Sequence, residues 1–169
     1  MINIVCGNYK TVFNIFLHNI EEKSVHYCIC GNYENLPNTT NHDVDIWVSD
    51  INIAYECLKI SAEVAGLKLY LSNQTANGYN LFLYRESVNF IEIFHFDLLQ
   101  NCSWFSFIPL VSKSIIANNI RRHNNFCVAN DEIEMAMHLF YPLVTNGVIK
   151  KKYREKIYCY RNSALLLDL

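Results

Sequence analysis

The sequence predicts an α+β protein: a mixed, mostly antiparallel sheet of about five strands with helices packed on it, and a helical C-terminal segment. Three observations predict it. Apolar residues at helical spacing (Phe13, Phe16, Leu17, Ile20) precede the first strand-like run. Short runs rich in β-branched and aromatic residues then alternate with Gly- and Asn-containing turns as far as Leu99. Beyond Trp104 the pattern becomes helical, with acids at the start of one segment and a basic run in the next.

The elements follow in order. Residues 8–22 form an amphipathic helix, and "SVHYCIC" (Ser24 to Cys30) is a strand. "GNYENLPNTTNH" is a loop by its Gly, Asn and Pro content, and "DVDIWVS" is the next strand. Asp50 caps a helix running from Ile51, with Ala54, Tyr55, Leu58, Ala62 and Ala65 on one face and Gly66 as the stop. "LKLYLS" is a strand, "NQTANG" a turn, and "YNLFLYRE" with "VNFIEIFHFDLL" a hairpin closed near Ser87. Further on, "VSKSIIANNIRR" reads as a short helix. "NDEIEMAMHLFYPLVTNG" reads as a helix starting at Asn130 or Asp131 and bent or ended at Pro142. "VIKKKYREKIYCYRNSALLLDL" reads as a last helix, basic and then apolar. The expected division is a core over 1–108 and a helical segment over 109–169 packed on it.

Composition narrows the function classes. A chain of 169 residues with 51% hydrophobic and 14% aromatic residues can build a real core and is not disordered. A formal net charge of −2 gives no whole-surface attraction to nucleic acid or to an anionic membrane, so neither is expected as a partner. "MINIVCGNYK" lacks the basic-then-apolar pattern of a signal peptide, and no run reaches the roughly 18 apolar residues of a spanning helix, so a cytoplasmic protein is expected. The seven cysteines are scattered. Cys28 and Cys30 share one face of a strand but lie too close in sequence for a zinc knuckle, and read as buried reduced thiols. "CGNY" occurs at Cys6 and again at Cys30; only the second copy sits where a strand ends, so the repetition is read as chance. Neither a Gly-x-x-x-x-Gly-Lys loop nor Gly-x-Gly-x-x-Gly occurs, which leaves P-loop and dinucleotide-binding readings without support.

The chemistry concentrates in "DVDIWV". Alternation on a strand points Asp43 and Asp45 to one face, roughly 6–7 Å apart, with Val44, Ile46 and Val48 on the other. Two carboxylates so placed repel each other unless they are exposed, paired with bases, or bridged by a cation. Mg²⁺ suits such a site, being held by one or two carboxylates and by substrate phosphates; a third carboxylate would allow two ions. Glu92 and Asp97 are the candidates for that third acid, on one strand but with opposite parity, and parity alone does not choose between them. An isolated Asp-x-Asp often marks only a solvated edge. Here it follows a strand, a Gly and a polar loop, where Gly31 can let backbone approach a phosphate and Asn32 can donate to it.

"GNY" followed by "HDVDIWV" resembles the nucleotidyltransferase superfamily that includes DNA polymerase beta and kanamycin nucleotidyltransferase. More narrowly, "GNYENLP", "DVDIWV", "FDLLQNCSW" and "KKKYREKI" together resemble uncharacterised bacterial nucleotidyltransferase-like proteins often associated with surface-polysaccharide gene clusters, over roughly residues 25–158. The resemblance implies a nucleotidyltransferase fold and transfer of a nucleoside monophosphate from a nucleoside triphosphate such as ATP to an unidentified acceptor hydroxyl. It implies Mg²⁺ or Mn²⁺ held by Asp43, Asp45 and Asp97, with Gly31 and Asn32 at the phosphates. It selects Asp97 over Glu92, because Asp97 stands seven residues before Trp104. Two departures stand out. Asn32 occupies the place of the superfamily's Ser, and Phe105-Ser106 follow the Trp where the narrower group tends to have a basic residue and Gly. The alternative is a nucleotide- or partner-binding module with the same fold and no turnover.

The remaining polar residues are read against plainer roles. His95 shares the parity of Asp97 and could orient it or move a proton, though strand histidines more often simply pack. His42, Tyr153 and the basic clusters Arg121-Arg122-His123 and Lys150-Lys151-Lys152 with Arg154 could touch substrate; solvated or packed faces are the commoner meaning of such residues.

Overall fold

The computed structural model describes residues 3–4, 9–31, 33–38, 43–88, 90–100, 102–104, 108–111 and 113–134, together with Leu143, Gly147, Val148 and Lys151. Asn32, His42 and most of the chain beyond 134 lie outside them. The order is β1 (Asn3–Ile4), α1 (Tyr9–Glu22), β2 (Tyr27–Ile29), β3 (Val44–Val48), α2 (Ile51–Val64), β4 (Lys68–Gln74), β5 (Gly78–Glu86) and β6 (Phe90–Leu99). It continues with β7 (Cys102–Trp104), β8 (Ile108–Val111), α3 (Lys113–Asn118), β9 (Ile120–His123) and β10 (Phe126–Ala129). A further helical turn spans 131–134.

The expected α+β class holds, but the sheet is wider than about five strands. Seven strands run in the order β4-β5-β6-β3-β2-β10-β9, and β1 also pairs with β6. Since β5 fills one edge of β6, β1 (at Phe90–Ile91) and β3 (at Phe96–Leu99) share the other edge end to end. The sheet is mixed: β3–β6, β2–β10 and β1–β6 are parallel, and the other pairs are antiparallel. Part of the extra width comes from the segment expected to be helical. There α3 and the 131–134 turn are helical, whereas β9 and β10 form a hairpin that joins the sheet, turning through Asn124 at φ +53°. Asn tolerates that left-handed conformation better than other residues with a Cβ. The small β7–β8 hairpin stands apart from the main sheet.

Both long helices cover one face. α1 buries Val12, Phe13, Phe16, Leu17 and Ile20, the spacing of one helical stripe. α2 starts at Asp50, whose carboxylate accepts from the Asn52 and Ile53 backbone N–H groups at 3.0 Å each, and ends before Gly66 at φ +70°. The two helices touch through Asn19 Nδ2, which donates to Ser61 Oγ at 3.2 Å. Beneath them lie Ile29, Val44, Ile46, Val48, Leu81, Leu83, Phe94, Phe96 and Leu98, each less than 3% exposed. Full burial of such side chains contributes roughly 1.5–3 kcal/mol apiece, so this face fixes the register of the whole sheet. The opposite face has a smaller apolar cluster of Cys28, Cys30, Trp47 and Ala129 under Ile116 of α3 and Ile133. Cys28 and Cys30 are buried free thiols, with Sγ atoms 3.8 Å apart. Among the described residues no helix is long and apolar enough to cross a membrane.

Candidate functional site

Strand parity builds the site. In β3, Val44, Ile46 and Val48 are committed to the helix-covered core, so Asp45 points the other way, with Asp43 on the same side one step before the strand. In β6 the core takes Phe94, Phe96 and Leu98, which turns Asp97 and His95 to the face of Asp45. The parallel β3–β6 pairing sets Asp45 directly beside Asp97. One ligand oxygen from each of Asp43, Asp45 and Asp97 can be chosen so that all lie within 4.8 Å of one another, and all three residues are part-exposed.

Glu92 goes elsewhere. It lies on the core face, 0% exposed, where Arg85 Nη2 meets its Oε2 at 2.8 Å. Arg85 is also its cross-strand partner. The opposite parity of the two acids separates them onto opposite faces of the sheet, and packing decides what parity alone did not: Asp97 is the one beside Asp45.

Burial pushes the Asp97 carboxyl above the usual carboxylate range; His95 and the Asn80 amide pull the other way, and the charge of Asp43 pushes it further up. A cation would offset both upward causes by favouring the ionised carboxylate. The donors fit one: three hard carboxylate oxygens, partly open so that waters and phosphate oxygens can complete a shell, suit Mg²⁺ or Mn²⁺ better than a soft metal. The nearby thiols of Cys28 and Cys30 are buried with the Trp47 cluster, and among the described residues they are not part of the acid group.

Gly31 follows β2 at φ +109°, in the left-handed region that favours glycine. Just before it, the Cys30 N–H donates to the Asp45 carbonyl at 2.8 Å, so the loop leaves the sheet beside the acids. The basic cluster is tied into the scaffold instead. Arg121 Nη2 donates to Tyr33 Oη at 2.7 Å and meets Asp131 at 3.4 Å, while Tyr33 Oη donates to the buried Glu134 at 3.0 Å. Burial and the Glu134 charge push the Tyr33 hydroxyl up to about 12. Arg122 reaches Glu21 at 3.3 Å. Lys151 is exposed; Lys150, Lys152, Tyr153 and Arg154 lie outside the described residues.

One contributor escaped the sequence reading. Asn80 of β5 stands opposite Asp97 and places Nδ2 2.6 Å from Asp97 Oδ1 and 2.7 Å from His95 Nε2. The available signal was a polar residue alternating with the core-facing Leu81 and Leu83 in "YNLFLYRE", but it marks a partner only once the hairpin register is known.

No family model matches the sequence, and no curated protein matches it. Two solved structures from Helicobacter pylori are similar in fold. One is JHP933, at TM-score 0.55 and 10% identity, covering 90% of this chain and 64% of that one. The other is a "putative nucleotidyltransferase", at TM-score 0.49 and 10% identity, covering 75% of this chain and 54% of that one. The chain therefore spans less than two thirds of the length of either. At this identity, what is shared with JHP933 is the fold.

Proposed function

We propose that this chain is a metal-dependent nucleotidyltransferase that moves a nucleoside monophosphate from a nucleoside triphosphate to an acceptor hydroxyl. The observation that carries the reading is the meeting of three carboxylates, from the β3 segment and from β6, within 4.8 Å on the face turned away from α1 and α2. The "GNY…DVDIWV" resemblance supports it. A divalent cation, when bound, offsets charge on the phosphates and on the transition state. Asp43 and Asp45 would hold that cation, which would supply positive charge for the triphosphate. Asp97 completes the set and accepts the proton of the attacking hydroxyl. Gly31 and Asn32 bind the phosphate tail through backbone and amide donors. The acceptor oxygen forms its bond to the α-phosphorus as the bond to the pyrophosphate oxygen breaks. Placement and charge compensation carry most of the rate.

Calorimetric titration with Mg²⁺ and a non-hydrolysable triphosphate tests the site. The wild-type heat is expected to vanish in Asp43→Ala; equal heats from the two proteins would remove it. A second reading, a binding module without turnover, is favoured by Asn32 in the superfamily's Ser position. It predicts the same heats but no pyrophosphate release across a panel of acceptors, with sugars tried first because of the narrower resemblance.

A further inference from the structure

Asn80 holds a position that no motif marked. Its amide nitrogen donates to Asp97 Oδ1 at 2.6 Å and lies 2.7 Å from His95 Nε2. His95 Nε2 also approaches the same Asp97 Oδ1, at 3.2 Å. Behind it the imidazole lies flat on Phe82, its cross-strand partner, with centroids 4.4 Å apart and planes 12° apart. Phe82 fixes the ring, the ring and the carboxylate fix the amide, and the amide occupies one oxygen of Asp97.

We propose that Asn80 is a positioning residue for the cation site: by donating to Oδ1 it holds the Asp97 carboxylate in the rotation that keeps an oxygen within reach of Asp43 and Asp45. This rests on the reading of those acids as a divalent-cation site. Ligating carboxylates gain affinity from such hydrogen bonds, and losing the partner typically weakens metal binding by about 10–100-fold. The role is distinct from catalysis, because Asn80 acts only through Asp97.

Mn²⁺ titration followed by electron paramagnetic resonance tests it on the full chain, with no turnover needed. Asn80→Ala is expected to weaken Mn²⁺ binding by about 10–100-fold, with a metal-free melting temperature close to that of the wild type. Asn80→Val, whose β-branched side chain suits a strand, makes the same comparison should the alanine variant unfold. In an Asp97→Ala background the Asn80 substitution is expected to add no further loss, a coupling that a general loosening of the fold would not produce. Wild-type affinity in both Asn80 variants, or an undiminished loss in the Asp97→Ala background, overturns the positioning role and leaves the cation site standing. A wild-type protein that binds no Mn²⁺ overturns both.

Discussion

Glu92 and Asp97 sit five residues apart on one strand and meet opposite fates. Glu92 lies on the helix-covered face with no solvent exposure, answered by the guanidinium of Arg85 at 2.8 Å. Asp97 lies on the other face with its side chain 22% exposed, held by an amide and an imidazole and crowded by Asp43 and Asp45. The difference teaches how one strand divides its work. A buried acid with a base opposite it serves the fold. A part-exposed acid among like charges leaves its charge to be met by something that arrives.

The largest effect that would break this contrast is on activity. Asp45→Ala is expected to lower nucleotidyl transfer by about 10³-fold, as loss of a main charge-stabilising group does, and to leave the melting temperature unchanged or raised, since it relieves repulsion. A pyrophosphate-release assay alongside a melting curve checks both halves. Next comes stability on the covered face. Arg85→Ala removes the guanidinium from a carboxylate with no access to water and should cost about 3 kcal/mol, read by urea denaturation, while Mn²⁺ affinity stays at the wild-type level. If it instead abolished metal binding, the two faces would not be separable. A milder control is Asp50→Ala, which removes the α2 cap and should cost about 1 kcal/mol without touching either acid's role.

The smallest effect concerns pH and sharpens the contrast on the open face alone. Folded Asp97 keeps its proton to higher pH than the same group in the unfolded chain. Between those two values the folded state binds more protons, so the metal-free stability from this group falls as pH rises through that window. Asp97→Asn should flatten that slope in denaturation curves recorded in chelator. Mg²⁺ should affect the wild-type curve most at the upper end, where Asp97 is ionised and free to bind it.

Much of this was legible in the residues. The α1 stripe, the Asp50 cap and the β5–β6 hairpin follow from spacing and turn chemistry, because local rules decide them. The shared face of Asp43 and Asp45 follows from alternation alone. Asp97 could be matched to them by resemblance but not by pattern, since which parity faces the helices depends on packing between distant segments. Asn80 was invisible for a related reason: its pairing with Asp97 needs the hairpin register to the residue. The β9–β10 hairpin was hidden by its composition. "IANNIRR" reads as a helix end until Asn124 and Asn125 are taken as a turn and Ile120 as a strand start.

The acids come from opposite sides of the β3–β6 seam, where one unit built on β2, β3 and α2 lies parallel to the β5–β6 hairpin. Neither unit contains the trio by itself. An ion bound at the proposed site would bridge the two units across that joint. A substitution at Gly78, where a Cβ would collide with the Leu98 carbonyl beside Asp97, would disturb the Asn80–Asp97 pairing two residues along and with it that bridge.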